Sequence, residues 1–264
     1  MTSTPPSAST PSIPTTPMPL ATLGEESPAE VDGRSGVVIL FGGTFDPPHV
    51  GHVRLPARVR DELERLHACP GRGWLIFVPA SRSPHKDAGP VATDQQRAAM
   101  VALAISELPR AGVWTDEIDR AASAAGPSAE PSFTVDTLRR AREWLDAHAL
   151  GGAPLRLLIG ADQAMGFHRW RDPRDILQLA KPAVMIRGES RDADALVERL
   201  AALGYWSTNE LAMWRGAIVP VGLVDVSATQ VRAALASGDQ GWALQFLPGP
   251  VLEYITAQGL YRAR

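Results

Sequence analysis

Apolar residues arrive in short bursts, separated by longer stretches in which they recur every three or four positions. Val37-Val38-Ile39-Leu40-Phe41 is a continuous apolar run stopped by Gly42-Gly43, the pattern of a buried strand entering a tight turn. From Val50 to Leu66 the spacing turns helical, with Leu55, Val59, Leu63 and Leu66 on one face. Trp74-Leu75-Ile76-Phe77-Val78 predicts a second buried strand, and Asp94 to Leu108 a second helix whose apolar face includes Met100, Leu103 and Ala104. The rhythm continues with a strand over Val113 to Thr115, a helix over Thr134 to His148, a strand over Leu155 to Ile159, a helix over Asp175 to Leu179 and a strand over Ala183 to Ile186. Alternation of this kind predicts an α/β fold, a parallel sheet flanked by crossover helices. Such folds hold ligands beyond the carboxyl ends of their strands.

Some segments break the rhythm. Residues 1–35 carry repeated Pro, Ser and Thr with little to bury, and read as a disordered extension. Arg120 to Pro131, rich in Ala, Ser, Gly and Pro, reads as a flexible insertion. Residues 189–217 combine an amphipathic helix around Ala193 to Leu203 with Tyr205, Trp206 and Trp214, and form either a lid or a lateral packing element; the aromatic content favours packing. Val251 to Leu260, after Pro248-Gly249-Pro250, reads as a terminal helix. The expected organisation is one domain over 36–264 with insertions near 120–131 and 189–217.

Composition narrows the setting. The 264 residues, 45% of them hydrophobic, suffice for one substantial core. The formal net charge of -3 gives no bulk attraction for nucleic acid or an anionic membrane, and no dense basic-aromatic stripe marks a nucleic-acid face. Cys69 is the single cysteine, which excludes an intrachain disulfide and a cysteine-based metal cluster and suits a reducing cytoplasm. The first residues lack a basic start followed by an apolar stretch, and no run nears the roughly 18 apolar residues of a membrane span. A cytoplasmic location is therefore expected. Almost every cation is arginine; the only lysines are Lys86 and Lys181, so a lysine inside a motif stands out.

Candidate chemistry starts where the first strand ends, in Gly42-Gly43-Thr44-Phe45-Asp46-Pro47-Pro48-His49-Val50-Gly51-His52. The glycines admit a ligand close to the backbone, and the helix that follows offers unpaired N–H groups to phosphate oxygens. His49 and His52, three positions apart, can face one ligand and donate charge-assisted hydrogen bonds to phosphates. On residues alone a second reading stands, in which the prolines end a loop and the histidines pad the helix. Two histidines leave a zinc site short of a third ligand. Neither a Walker loop nor the Gly-x-Gly-x-x-Gly fingerprint is present.

That eleven-residue segment resembles the signature of bacterial nicotinate-nucleotide adenylyltransferases, within the wider nucleotidyltransferase superfamily marked by His-x-Gly-His. Further segments resemble the family in the same order: Pro84-His85-Lys86; Pro131-Ser132-Phe133-Thr134-Val135-Asp136-Thr137-Leu138; Ile159-Gly160-Ala161-Asp162 with the spaced Phe167 and Trp170; and Val226-Ser227-Ala228-Thr229-Gln230-Val231-Arg232. Ala228 departs from the family, where a second serine is usual, which puts one hydroxyl contact in doubt. The similarity spans roughly 37–186 and 218–261.

The resemblance implies a Rossmann-like nucleotidyltransferase fold and transfer of the adenylyl group of ATP to nicotinate mononucleotide, releasing pyrophosphate and forming nicotinate adenine dinucleotide. It implies an ATP site of Gly42, Gly43, Thr44, Phe45, His49, Gly51, His52, Asp162, Ser227, Thr229 and Arg232. It implies a mononucleotide site of Lys86, Ser132, Phe133, Thr134 and Trp170, with His49, His52, Lys86 and Arg232 as catalytic groups. Mg2+ is expected on the ATP phosphates, with no protein metal site. Plain structural roles compete at several positions: Thr134 or Asp162 as a helix cap, Phe167 as core, Ser227 as a cap beside a surface arginine. Nicotinamide mononucleotide stays open as the acceptor, since backbone amides around 80–86 or 132–134 could tell carboxylate from amide without a diagnostic side chain. Phosphopantetheine fits the later motifs less well, and a nucleotide sensor without turnover is the alternative from another class. The number of subunits is not legible.

Overall fold

The computed structural model describes residues 36–67, 69–81, 90–123, 132–148, 150–186, 190–222 and 224–263. Its centre is a sheet of six parallel strands, β1 (Val38–Gly43), β2 (Trp74–Pro79), β3 (Ala111–Val113), β4 (Leu155–Gly160), β5 (Lys181–Ile186) and β6 (Ile218–Pro220), in the order β3-β2-β1-β4-β5-β6. The strands are apolar on both sides because both faces are covered, as all-parallel sheets require.

Alternate residues separate the two faces. Ile39, Phe41, Leu75 and Phe77 point toward helix α1 (Val50–Leu66) through Leu55, Val59 and Leu63, and toward α2 (Asp94–Ala104) through Val101. Val38, Leu40, Trp74, Ile76, Leu157 and Ile159 point the other way. They pack on α4 (Thr134–Ala147), α6 (Pro173–Leu179), α7 (Ser190–Ala202) and α8 (Thr208–Ala217). A third cluster joins α9 (Ala228–Ser237), α10 (Gln240–Phe246) and α11 (Gly249–Gln258) to Met100 of α2. Two short elements complete the chain, α3 (Asp116–Ser123) and α5 (Ala161–Gly166), the latter followed by a 3-10 turn over Phe167–Arg169. Among the described residues no helix is long and apolar enough to cross a membrane.

Several expectations change. Leu66 is 58% exposed rather than on the buried face of α1, which instead buries the aliphatic stems of Arg60 and Glu64. The second helix ends at Ala104, and the third strand lies at Ala111–Val113, leaving Trp114 buried just beyond it. Residues 120–123, read as part of a flexible insertion, belong to α3; 124–131 lie outside the described residues, as do 1–35. In 189–217, Leu196, Leu200, Trp206 and Trp214 are all buried in the core, so the described part of this segment packs laterally. The edge strand β6 has three residues and ends in proline, too little for a periodic signal.

The strand order reverses direction between β1 and β4. Their carboxyl ends diverge there, at Gly42-Gly43 on one side and Ile159-Gly160 on the other, and a crevice opens as in other doubly wound sheets.

Candidate active site

The crevice is a cleft of about 1060 Å³. Its walls bring together Gly42, Gly43, Thr44, His49, Gly51 and His52 from the first motif, Ser132, Phe133 and Thr134 at the start of α4, and Asp162 and Trp170 after β4. Eleven of the residues singled out in the sequence, drawn from three distant segments, therefore line one cavity.

Backbone geometry explains the first wall. His49 is the N-cap of α1, and its N–H donates to Nδ1 of His52 at 3.2 Å. An accepting Nδ1 leaves the proton of the neutral His52 ring on Nε2, where it is available as a donor. The two imidazoles stack with centroids 3.8 Å apart. Gly51 leaves room for the imidazole of His49: a Cβ there would lie 3.1 Å from that ring, tighter than ordinary contact, so the ring would have to give way. At Gly43 a Cβ would lie 2.8 Å from Phe45 Cζ.

Phe45 itself corrects the expected ATP site. Its backbone turns through a φ of 50°, and the ring is 2% exposed, in edge contact with Phe41 and His52. The side chain supports the histidine from below and is absent from the cleft lining.

Asp46, in the same motif, carries a structural load that the sequence reading did not assign. Its carboxylate accepts from the N–H groups of Val91 (2.8 Å) and Ala92 (3.1 Å) and from the Tyr261 hydroxyl (2.6 Å). Burial, and then the bond to Asp46, hold the Tyr261 phenol protonated far above its ordinary range. Arg232 donates to the Asp46 carbonyl at 2.6 Å and to Thr229 Oγ1 at 3.3 Å. The fully buried Arg97 donates to the Thr44 carbonyl at 2.6 Å and pairs with Asp94.

Arg232, Thr229 and Ser227 stand beside the cleft rather than in its lining. Ser227 caps α9, its Oγ accepting from the Gln230 N–H at 3.2 Å while Gln230 Oε1 accepts from the Ser227 N–H at 2.7 Å. The cap reading holds for Ser227. For Thr134 it does not: the N-cap of α4 is Phe133, with no side-chain capping bond, and Ser132, Phe133 and Thr134 line the cleft. Phe167 is fully buried and stacks under Trp170 at 4.7 Å, with Trp214 edge-on to it at 5.1 Å. It holds the tryptophan that faces the cleft. Pro84-His85-Lys86 lies outside the described residues.

The lining includes charged groups that no motif pointed to. Arg169, Arg171 and Arg199 all reach it. Arg60, Arg65, Arg97, Arg110, Arg120, Arg139, Arg140, Arg174, Arg215 and Arg232 each meet a carboxylate. The three cleft arginines meet none among the described residues. Glu117 of α3 also lines the cleft; burial pushes its carboxyl from near 4.5 up to about 7, against the pull of Thr137 and Arg120. Near neutrality it is therefore only partly ionised, and the arginines outweigh it in the cleft.

The chain matches the cytidylyltransferase-like family over residues 40–234. It is 37% identical over 235 residues to a probable nicotinate-nucleotide adenylyltransferase of Stenotrophomonas maltophilia, covering 85% of this chain and 96% of that protein. With the corresponding protein of Dechloromonas aromatica it shares 36% identity over 236 residues, covering 84% and 96%. Among solved structures it resembles Plasmodium falciparum nicotinic acid mononucleotide adenylyltransferase complexed with NaAD, at a TM-score of 0.56 and 14% identity, over 86% of this chain and 97% of the other. That likeness is one of fold.

Proposed function

The chain belongs to the nicotinate-nucleotide adenylyltransferase family of the nucleotidyltransferase superfamily, and we propose that it joins nicotinate mononucleotide to the AMP part of ATP. The observation that carries this reading is the convergence, at one crevice of the sheet, of the stacked histidine pair, the open start of α4 and the Asp162 to Trp170 segment.

The phosphate monoester of the mononucleotide is anionic near neutral pH, so its oxygen attacks the α-phosphorus of ATP without a dedicated base. A new P–O bond forms as the bond between the α-phosphorus and the bridging oxygen breaks, and pyrophosphate leaves with the electron pair. The protein's work is to align these groups and to stabilise charge on the phosphate oxygens. We assign His49, and the Nε2–H of His52, to those oxygens. Arg232, with one nitrogen on the Asp46 carbonyl, is assigned with Lys86 to the triphosphate and the departing pyrophosphate. Asp162 is assigned to a ribose hydroxyl, and Trp170, backed by Phe167, to the face of the pyridine ring.

Among the described residues no His, Cys, Asp or Glu group could hold a metal ion by itself. Mg2+ is proposed to arrive on the ATP phosphates, where it would draw charge from the breaking bond.

The test is pyrophosphate release by the purified protein with ATP, Mg2+ and, in turn, nicotinate mononucleotide, nicotinamide mononucleotide and phosphopantetheine. Fast release with the first supports the reading. Tight binding with no release for any acceptor would mean a sensor and would sink it.

A further inference from the structure

We infer that Tyr261, just beyond α11, is a positioning residue for ATP: by occupying the Asp46 carboxylate it keeps that group from capturing Arg232, and so leaves the Arg232 fork to the triphosphate. The inference rests on the reading of the cleft as the ATP site of an adenylyltransferase.

The backbone that delivers the phenol is strained. α11 closes on Gly259, at a φ of 64°, with the Gly259 N–H on the Thr256 carbonyl and the Leu260 N–H on the Ile255 carbonyl. A helix end of this kind needs one left-handed residue, and glycine supplies it. Tyr261 is a second left-handed residue, at a φ of 59°, where a bulky side chain is rare. It is 6% exposed, clustered with Val251 and Ile255, and its hydroxyl lies 2.6 Å from Asp46 Oδ1. A strained residue persists where its surroundings over-determine it, and here the contact it secures is with the histidine motif.

The charges around Asp46 show what that contact prevents. Asp46 is 5% exposed; Oδ2 accepts from the Val91 N–H, and Oδ1 from the Ala92 N–H and the Tyr261 hydroxyl. Burial and the Asp46 charge keep the phenol protonated, so it remains a donor. Arg232 Nη1 lies 3.9 Å from Oδ2, beyond hydrogen-bond reach, and donates instead to the Asp46 main-chain carbonyl at 2.6 Å. Arg97, the other cation whose charge reaches the phenol, is committed to the Thr44 carbonyl and to Asp94. Without the hydroxyl, a buried carboxylate is one donor short and Arg232 is the cation within reach. A charge-assisted bond to the guanidinium would then draw Arg232 off the carbonyl and away from the triphosphate.

The experiment measures kcat, KM for ATP and KM for nicotinate mononucleotide, together with the Kd of ATP and Mg2+ without acceptor. The proteins are the wild type, Tyr261→Phe, the double variant Asp46→Asn with Tyr261→Phe, and the control Tyr254→Phe on α11. Withdrawal of one charged donor predicts roughly 10-fold higher KM and Kd for ATP in Tyr261→Phe, with KM for the mononucleotide within about twofold. Asparagine carries no charge to hold Arg232, so the double variant should regain most of the ATP affinity. Tyr254→Phe should match the wild type. A hydroxyl that only stabilised the fold would lower the unfolding midpoint and spare both KM values. That result, equal rises for both substrates, or no recovery in the double variant would each overturn the inference while leaving the activity intact. A wild type that binds ATP but releases pyrophosphate with no acceptor would defeat the activity reading alone, because the Kd for ATP still tests Tyr261.

Discussion

Glu117→Gln should make the protein more stable, and only above mildly acidic pH. The Glu117 side chain accepts a hydrogen bond from Thr137 Oγ1 at 3.0 Å, and Arg120 donates to the same hydroxyl at 2.9 Å. Neighbouring Asp116 is claimed by Arg120 at 2.9 Å and Arg140 at 2.7 Å, so the nearby positive charge is largely spent. Burial therefore dominates and raises the carboxyl from near 4.5 to about 7. In the unfolded chain it ionises at its ordinary value, so the folded state holds the proton more tightly. The stability linked to that proton is complete below about pH 4.5 and is lost as pH rises through about 7. At 1.36 kcal/mol per pKa unit the full loss is about 3 kcal/mol.

Glutamine keeps the shape and the oxygen that accepts from Thr137 but has no proton to lose. Unfolding of the ligand-free wild type and variant in denaturant, at pH 5 and pH 8, measures the difference directly. The variant should lead by under about 1 kcal/mol at pH 5 and by about 3 kcal/mol at pH 8, the latter equal to roughly 6–12 °C in Tm for a chain of this size. A constant offset at both pH values, or a wild type more stable at pH 8, would refute the argument that burial governs this carboxyl.

Three other substitutions probe the first motif and what holds it. His52→Ala should lower turnover by roughly 100- to 1000-fold, as for a lost oxyanion donor, while the missing capping contact costs about 1 kcal/mol of stability; near-normal turnover with ATP and nicotinate mononucleotide would remove His52 from the chemistry. Arg232→Ala should raise KM for ATP more than KM for the mononucleotide, and equal rises would indicate general damage to the Asp46 loop. Tyr261→Phe removes a buried donor to Asp46 and should cost about 1–3 kcal/mol in denaturant unfolding; an unchanged midpoint would show that the carboxylate is satisfied by Val91 and Ala92 alone.

What the sequence revealed follows from how local each signal is. β1, α1, β2, α4, β4 and β5 are long enough for their periodicity to show, and the histidine motif is legible because its geometry is completed within four residues of helix. The end of α3, residues 120–123, reads as part of a linker in the sequence because its Ala and Ser content resembles one. What makes it a helix is tertiary: Asp116 pairs with Arg140 of α4, and Ile118 is buried. Phe45 was misplaced for a similar reason. Thr44 before it lines the cleft, but Phe45 sits at a positive φ with its ring in the core, and nothing in the residue type announces that turn. Tyr261 and Glu117 acquire meaning only from Asp46 and Thr137, partners far along the chain that no spacing rule connects.

The contacts of Asp46 carry this reasoning further. A glycine turn followed by histidines could bind phosphate in isolation, but here the loop is fixed from outside by parts of the chain far from it. Arg232 holds the Asp46 carbonyl, Tyr261 and the backbone of Val91 and Ala92 hold its carboxylate, and Arg97 holds the carbonyl of Thr44. The groups assigned to the α-phosphate and to pyrophosphate are thus positioned by one another: Arg232 cannot shift without loosening the loop that presents His49. Preorganised donors stabilise a transition state because they need not reorganise as charge develops. By this argument α9 to α11 belong to the site although they contribute little of its lining, and damage to the third core cluster should appear first as lost turnover rather than as lost binding of the pyridine ring.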